Sequence, residues 1–180
     1  MTAPPRTRHD GKQAALVLTI AAAIIGIPAL IASQVPPRET LIPPTTRIEV
    51  EAAGESPDTV SFAGVGGWQQ RPTGDPSTAV LQSPEDTVLI VTVANGVDNL
   101  TEAAEWRLQV LDVQGFEAEF DGGQVANPHG FHGFTCRGAS DPGVCAIVGN
   151  QNLVVTLALG GERATFEQLA PILESLEVAS

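Results

Sequence analysis

The chain has 180 residues, with 21 Asp and Glu against nine Lys and Arg, for a formal net charge of −12. From residue 45 onward the imbalance sharpens to 19 acids against five arginines and no lysine, a net charge of −14. A surface of that sign repels phosphate backbones and anionic lipid heads, which argues against a nucleic-acid partner and leaves solubility, a cation or a basic partner as its uses.

Residues 1–13 form a short polar tail. Residues 14–32 follow as AALVLTIAAAIIGIPALIA, nineteen residues broken only by Thr19, Gly26 and Pro28. At about 1.5 Å per helical residue, that run reaches across a bilayer core of roughly 30 Å. Arg6, Arg8 and Lys12 precede it, which places the N-terminus in the cytoplasm and everything beyond residue 34 outside. Residues 14–34 therefore read as a transmembrane signal-anchor, and the expected location is the cell membrane, crossed once. A cleaved secretory signal is the alternative. The basic start fits it, but the apolar stretch exceeds the usual roughly 7–15 residues and the candidate cleavage sites near Ala32 are poor. A buried core helix is the third reading, with no polar face to support it. No Cys follows the run, which excludes lipid attachment there. Residues 35–46 carry Pro36-Pro37 and Pro43-Pro44 and read as a stiff, extended spacer.

Residues 47–180 are one domain's worth of chain. Ile48, Val50 and Ala52 alternate with charged residues, as in a half-buried strand, and Val60 and Phe62 repeat the pattern. Gly64-Val65-Gly66-Gly67-Trp68 is a turn ending on a large anchor. Strands are predicted at 78–82 and 87–94, the second nearly continuous in apolar residues and hence central. Asn95-Gly96 breaks it. A helix is predicted over 98–112, with Asn99 or Thr101 as cap and Glu102 and Glu105 suiting its positive end. Ala104, Leu108 and Leu111 form its apolar stripe, and Ala103, Trp106 and Val110 broaden it. Residues 116–120 read as a strand, 122–133 as a loop, 134–136 and 145–148 as paired strands, and 153–159 as a buried strand. The last helix begins at Thr165, with Gln168 at capping-box spacing and Phe166, Leu169, Leu173 and Leu176 on one face. Pro171 removes one of its hydrogen bonds. The predicted fold class is α+β: an N-terminal transmembrane helix, then a mostly antiparallel sheet with two helices packed on one side.

Cys136 and Cys145, spaced C-x8-C, read as a disulfide outside a membrane, with a reduced pair or metal ligands as alternatives. Asp141-Pro142-Gly143 between them is a turn signal, so the bond would staple the base of a hairpin. Reactive side chains come together only in NPHGFHGFTC, residues 127–136. His129 and His132, with Asp121 upstream, form a weak candidate site for zinc or copper, which needs at least three ligands. The plainer reading is two loop histidines flanking Phe131, and no cofactor is assigned. No Gly-x-Ser-x-Gly occurs. Gly64-Val65-Gly66-Gly67 leads into a Trp and a strand, unlike a phosphate-cradling loop. Glu117 and Glu119 alternate on a strand as a solvated face. Trp68 and Trp106 read as core or helix–sheet packing, with a ligand groove as the alternative.

FAGVGGW at residues 62–68, the central strand, Asn95-Gly96 with the acidic-capped helix at 100–112, the late strand 153–159 and the closing helix 166–176 together resemble the PsbP-like fold. The resemblance is notably to the LpqN-type envelope lipoproteins of actinobacteria, and also to single-pass actinobacterial proteins built on similar lines. It spans roughly residues 47–178. The composition, rich in Ala, Val and Gly and nearly without Lys, matches chains from GC-rich genomes. Such lipoproteins carry a lipidated cysteine after the signal, which this sequence lacks, so a lipoprotein role does not carry over and the expected transmembrane anchor would substitute for it. The resemblance implies binding and accessory roles, and it supplies no catalytic residues.

Three functions follow. The first is a non-enzymatic, membrane-anchored binding or assembly module of the bacterial cell envelope, its partner another envelope protein; a contiguous exposed apolar patch favours it. The second is a carrier of a small apolar or lipid ligand, favoured by a deep pocket lined by Phe and Trp. The third is a metal-binding protein or enzyme using His129 and His132, which requires both to converge with a carboxylate.

Overall fold

A computed structural model describes residues 15–22, 24, 39–53 and 57–179. The chain divides into two units, Met1–Pro37 and Arg38–Ser180. In the first, residues 15–22 are helical, and Leu16, Val17, Leu18 and Ile20 are 50–69% exposed. Among the described residues, no helix is long and apolar enough to cross a membrane. Apart from residues 15–22 and 24, the predicted anchor lies outside the described residues, as does the predicted tail.

The second unit is α+β. Its described residues hold eleven strands: β1 (Thr40–Leu41), β2 (Ile48–Glu51), β3 (Thr59–Phe62), β4 (Gln69–Arg71), β5 (Thr78–Gln82), β6 (Val88–Ala94), β7 (Ala118–Ala126), β8 (His132–Gly138), β9 (Gly143–Asn150), β10 (Leu153–Gly160) and β11 (Glu177–Val178). Two helices complete it, α1 (Leu100–Val113) between β6 and β7 and α2 (Phe166–Ser175) before β11. Eight strands form one antiparallel sheet in the order β1-β4-β5-β6-β10-β9-β8-β7. The other three form a small antiparallel sheet, β11-β3-β2.

The central strand β10, LVVTLALG, explains the layering. Seven of its eight residues are buried, at both parities of the pleat, so each face of the large sheet needs a cover. On one face, Val155, Leu157 and Leu159 join Leu89 and Val91 of β6 against Val50 and Phe62 of the small sheet and Leu169, Ile172 and Leu173 of α2. On the other, Val154 and Ala158 join Cys145 and Ile147 of β9 against Ala104 and Leu111 of α1. The two helices thus lie on opposite faces, not on one side as expected. An apolar strand of both parities cannot be covered from one face.

Local signals place both helices. The Asn99 side chain accepts hydrogen bonds from the Thr101 and Glu102 N–H groups at 3.0 and 3.3 Å, capping α1. The Thr165 N–H donates to the Gln168 side chain at 3.3 Å, opening α2. Pro171 sits inside α2 without ending it. Gly64, at φ +87°, carries the chain close over it: a Cβ there would come within 3.2–3.3 Å of Pro171 and Ile172.

Two segments depart from their predicted state. Part of the expected spacer joins the sheet: β1 pairs with β4, and Ile42 is 4% exposed, with its N–H donating to the Trp68 carbonyl at 2.8 Å. The expected loop at 122–133 is mostly strand. β7 continues to Ala126 across a bulge between Phe120 and Gln124, and β8 begins at His132, so only residues 127–131 form a turn. Gly122, at φ +82°, absorbs the extra residues, which a reading of glycine as a strand breaker misses.

Candidate functional site

The three residues of the predicted metal candidate fall into three separate settings. Asp121 sits in the β7 bulge. The Thr135 hydroxyl and, at 2.8 Å, the Gly123 N–H both donate to its Oδ1. The Thr135 bond, with the Gly123 N–H and the charge of Arg137, holds its carboxyl below the ordinary Asp value against the opposing effect of burial. His129 lies in the 127–131 turn, its Nδ1 3.6 Å from the Glu177 carboxylate, which also pairs with Arg47 at 2.9 Å. His132 opens β8, its exposed ring 3.4 Å from the Gly130 carbonyl through Nδ1. Among the described residues, no group of three or more His, Cys, Asp or Glu is arranged to hold a metal ion. Cys136 and Cys145 face each other across β8 and β9, their Cα atoms 4.8 Å apart and their sulfurs at disulfide distance.

Asn127, unnoticed in the sequence, organises that turn. Its Oδ1 accepts from the His129 and Phe131 N–H groups, both at 3.0 Å. Its Nδ2 donates to the Leu173 and Leu176 carbonyls at 2.8 and 2.7 Å, one in the last turn of α2 and one just beyond it. The Asn-Pro-x-Gly pattern was the available signal: an Asx side chain opening a turn. Two recesses flank this region. A polar one of about 350 Å³ is lined by Asp58, His129, Asn150, Gln151 and Glu177. An apolar one of about 290 Å³ lies between Leu100 of α1 and Val125, Ala126 and Phe134 of the β7–β8 edge.

The larger anomaly is on α1. Trp68 is buried as expected, at 8% exposure, but Trp106 is 57% exposed and does not pack between helix and sheet. The inward stripe is Ala104, Arg107, Leu108 and Leu111, and Arg107 is the surprise. Only 9% of it is exposed. Its guanidinium lies 5.3 Å from the Trp106 ring centroid, its Nε has no hydrogen-bond partner, and desolvation lowers its pKa. Arg107 fills the edge of the stripe with its aliphatic stem, which leaves the indole outside.

Trp106 is not isolated. Ala103, Trp106, Val110 and Val113 recur at spacings of three, four and three, so they share one ridge of the helix. Ala103 and Val110 are half-buried and Val113 is 88% exposed. Glu102, Glu105 and Asp112 stand exposed on the same helix. The ridge thus leaves Trp106 and Val113 exposed, with carboxylates beside them. The same spacing could have shown the ridge in the sequence, had Arg107 been assigned to the inward stripe.

No family model, curated protein or solved structure matches the chain.

Proposed function

We propose that the chain is a non-enzymatic binding or assembly module of a bacterial cell envelope. In this reading residues 14–34 anchor it in the membrane with the N-terminus in the cytoplasm. The α+β unit stands outside and docks another envelope protein through α1. The resemblance to PsbP-like, LpqN-type domains belongs to the same proposal. The observation that carries it is the exposed Trp106 ridge, continuous with Val113 on one helix. Large aromatics left at a surface are the residues from which interfaces draw most of their binding energy. The separate hydrogen-bonding of Asp121, His129 and His132 supports a scaffold role for that region.

The test is photo-crosslinking in the producing cell's own membranes, with a benzophenone side chain replacing Val113 or, on the β8–β9 loop, Asp141. A discrete adduct from position 113 and none from 141 is the expected result. Equal adducts from both positions, or only uncrosslinked chain, refute docking through α1. Protease added to wall-stripped cells should remove the unit beyond residue 35; its full protection refutes the topology. The apolar recess beside Leu100 and Phe134 favours a second reading, carriage of a small apolar ligand. Saturable binding of a fluorescent fatty acid, abolished by Ala126→Trp, is its test.

A further inference from the structure

We infer that the occupant of the α1 ridge is a helical protein segment whose apolar stripe is flanked by lysine or arginine. The inference rests on the reading of α1 as a docking face and adds the chemistry of the partner.

Shape comes first. Four apolar positions at three-four-three spacing form a seam of the kind that a second helix meets by interdigitation. Charge then selects among helices. Of the unit's arginines, Arg47, Arg71 and Arg137 are already paired, with Glu177, Glu39 and Glu119. Along α1 the carboxylates of Glu102, Glu105 and Asp112 have no ion pair with any described residue. The helix's one cation, Arg107, is folded beneath Trp106 and buried. Nor does any basic residue occupy the last turn, where backbone N–H groups of Gln114, Gly115 and Phe116 cap the carbonyls but no side-chain cation offsets Asp112. From residue 45 onward the unit carries 19 acids against five arginines. The ridge is therefore apolar along its crest and uniformly negative along its flank.

That pattern disfavours the other occupants. A second copy would bring Glu102, Glu105 and Asp112 against themselves. An anionic lipid surface would meet the same repulsion. A basic-flanked helix places its cations on three carboxylates without an ion pair, and its apolar stripe on Trp106 and Val113. Charges at the rim of such a seam set partner choice more than affinity.

The experiment uses the full chain in phosphatidylcholine nanodiscs, with benzophenone at position 113 and, as a control, at 141. The probes are two synthetic helices of identical Leu stripe, one flanked by Lys and one by Glu. The expected result is crosslinking from 113 favouring the Lys-flanked helix by roughly tenfold at low salt, the preference shrinking as screening rises. The yield should also fall several-fold in Trp106→Ser, an exposed position whose loss leaves the core intact. Equal yields with the Lys and Glu helices overturn the proposed chemistry and leave the docking face standing. Self-crosslinked chain with neither helix attached makes a second copy the occupant and likewise overturns it. Equal yields from 113 and 141, or none from 113 with either helix and with itself, overturn both the partner chemistry and the docking face.

Discussion

Replacing Arg107 by methionine should stabilise the protein. Only 9% of the residue is exposed, its Nε is buried without an acceptor, and burial lowers its pKa. Leaving a buried donor unsatisfied costs about 1–3 kcal/mol, and exchanging buried charge for a well-packed apolar side chain of similar size gains about 1–4 kcal/mol. Methionine keeps most of the stem that packs between α1 and the sheet. What it gives up is the cation–π contact with Trp106, worth about 0.5–1 kcal/mol at a partly exposed site. The balance is a gain of about 1–2 kcal/mol, or a Tm higher by roughly 3–7 °C for a domain of this size. Urea unfolding of the full chain in neutral detergent, followed by tryptophan fluorescence, reads the change directly. Arg107→Lys serves as the control, since it keeps the charge and should not stabilise. A Met variant less stable than the parent, or a Lys variant that gains as much as Met, refutes the argument that the partnerless Nε and the partly desolvated charge are the source.

Three further outcomes follow from particular bonds. Asn127→Asp keeps both acceptor contacts of the turn but turns two donors at the Leu173 and Leu176 carbonyls into a negative charge, and should destabilise by about 2–4 kcal/mol; partial recovery in urea melts below about pH 4, where the new carboxyl regains a proton to donate, checks the cause. Asp121, its pKa lowered chiefly by the Thr135 hydroxyl, contributes stability that is fully present above the ordinary Asp value of 3.8 and is lost as pH falls through its depressed value. The stability gap between the parent and Thr135→Val should therefore close on the acid side of that range, and a gap constant with pH would falsify the assignment. Thiol labelling of the native, unreduced chain should find neither Cys136 nor Cys145 free, and reduction should destabilise by about 2–3 kcal/mol, the loop-closure value for a separation of nine residues; full labelling without reduction sinks the bond.

What the sequence made legible was whatever a short window decides. Asn99 and Thr165 announce helix starts because the caps satisfy neighbouring N–H groups. The run at residues 153–159 announces a strand buried on both faces. Elements held by distant partners were not legible. β4 reads QQR and β11 reads EV, with no periodicity of their own; each exists because a neighbouring strand, β5 or β3, offers an unpaired edge. β1 likewise needs β4, so proline content alone suggested a spacer. The β7 bulge was hidden because Gly122-Gly123 usually ends a strand, whereas here the Asp121 side chain holds the bulged backbone across to Thr135.

The side of a helix that faces the core was the least legible feature, and α1 shows why. Hydrophobicity alone puts Trp106 inside and Arg107 outside, since a Trp gains far more from burial. The structure has the reverse. The inward stripe is fixed by Ala104, Leu108 and Leu111, and residue 107 falls beside that stripe whatever its chemistry, while residue 106 falls on the far side. A sequence under selection for stability alone would carry an apolar residue at 107 and a polar one at 106. This chain has the opposite order, with the guanidinium against the indole. That order has one structural effect: it presents a supported aromatic on an otherwise acidic helix. A stability gain in Arg107→Met accompanied by lost crosslinking from position 113 would show that the two properties are traded against each other at this pair.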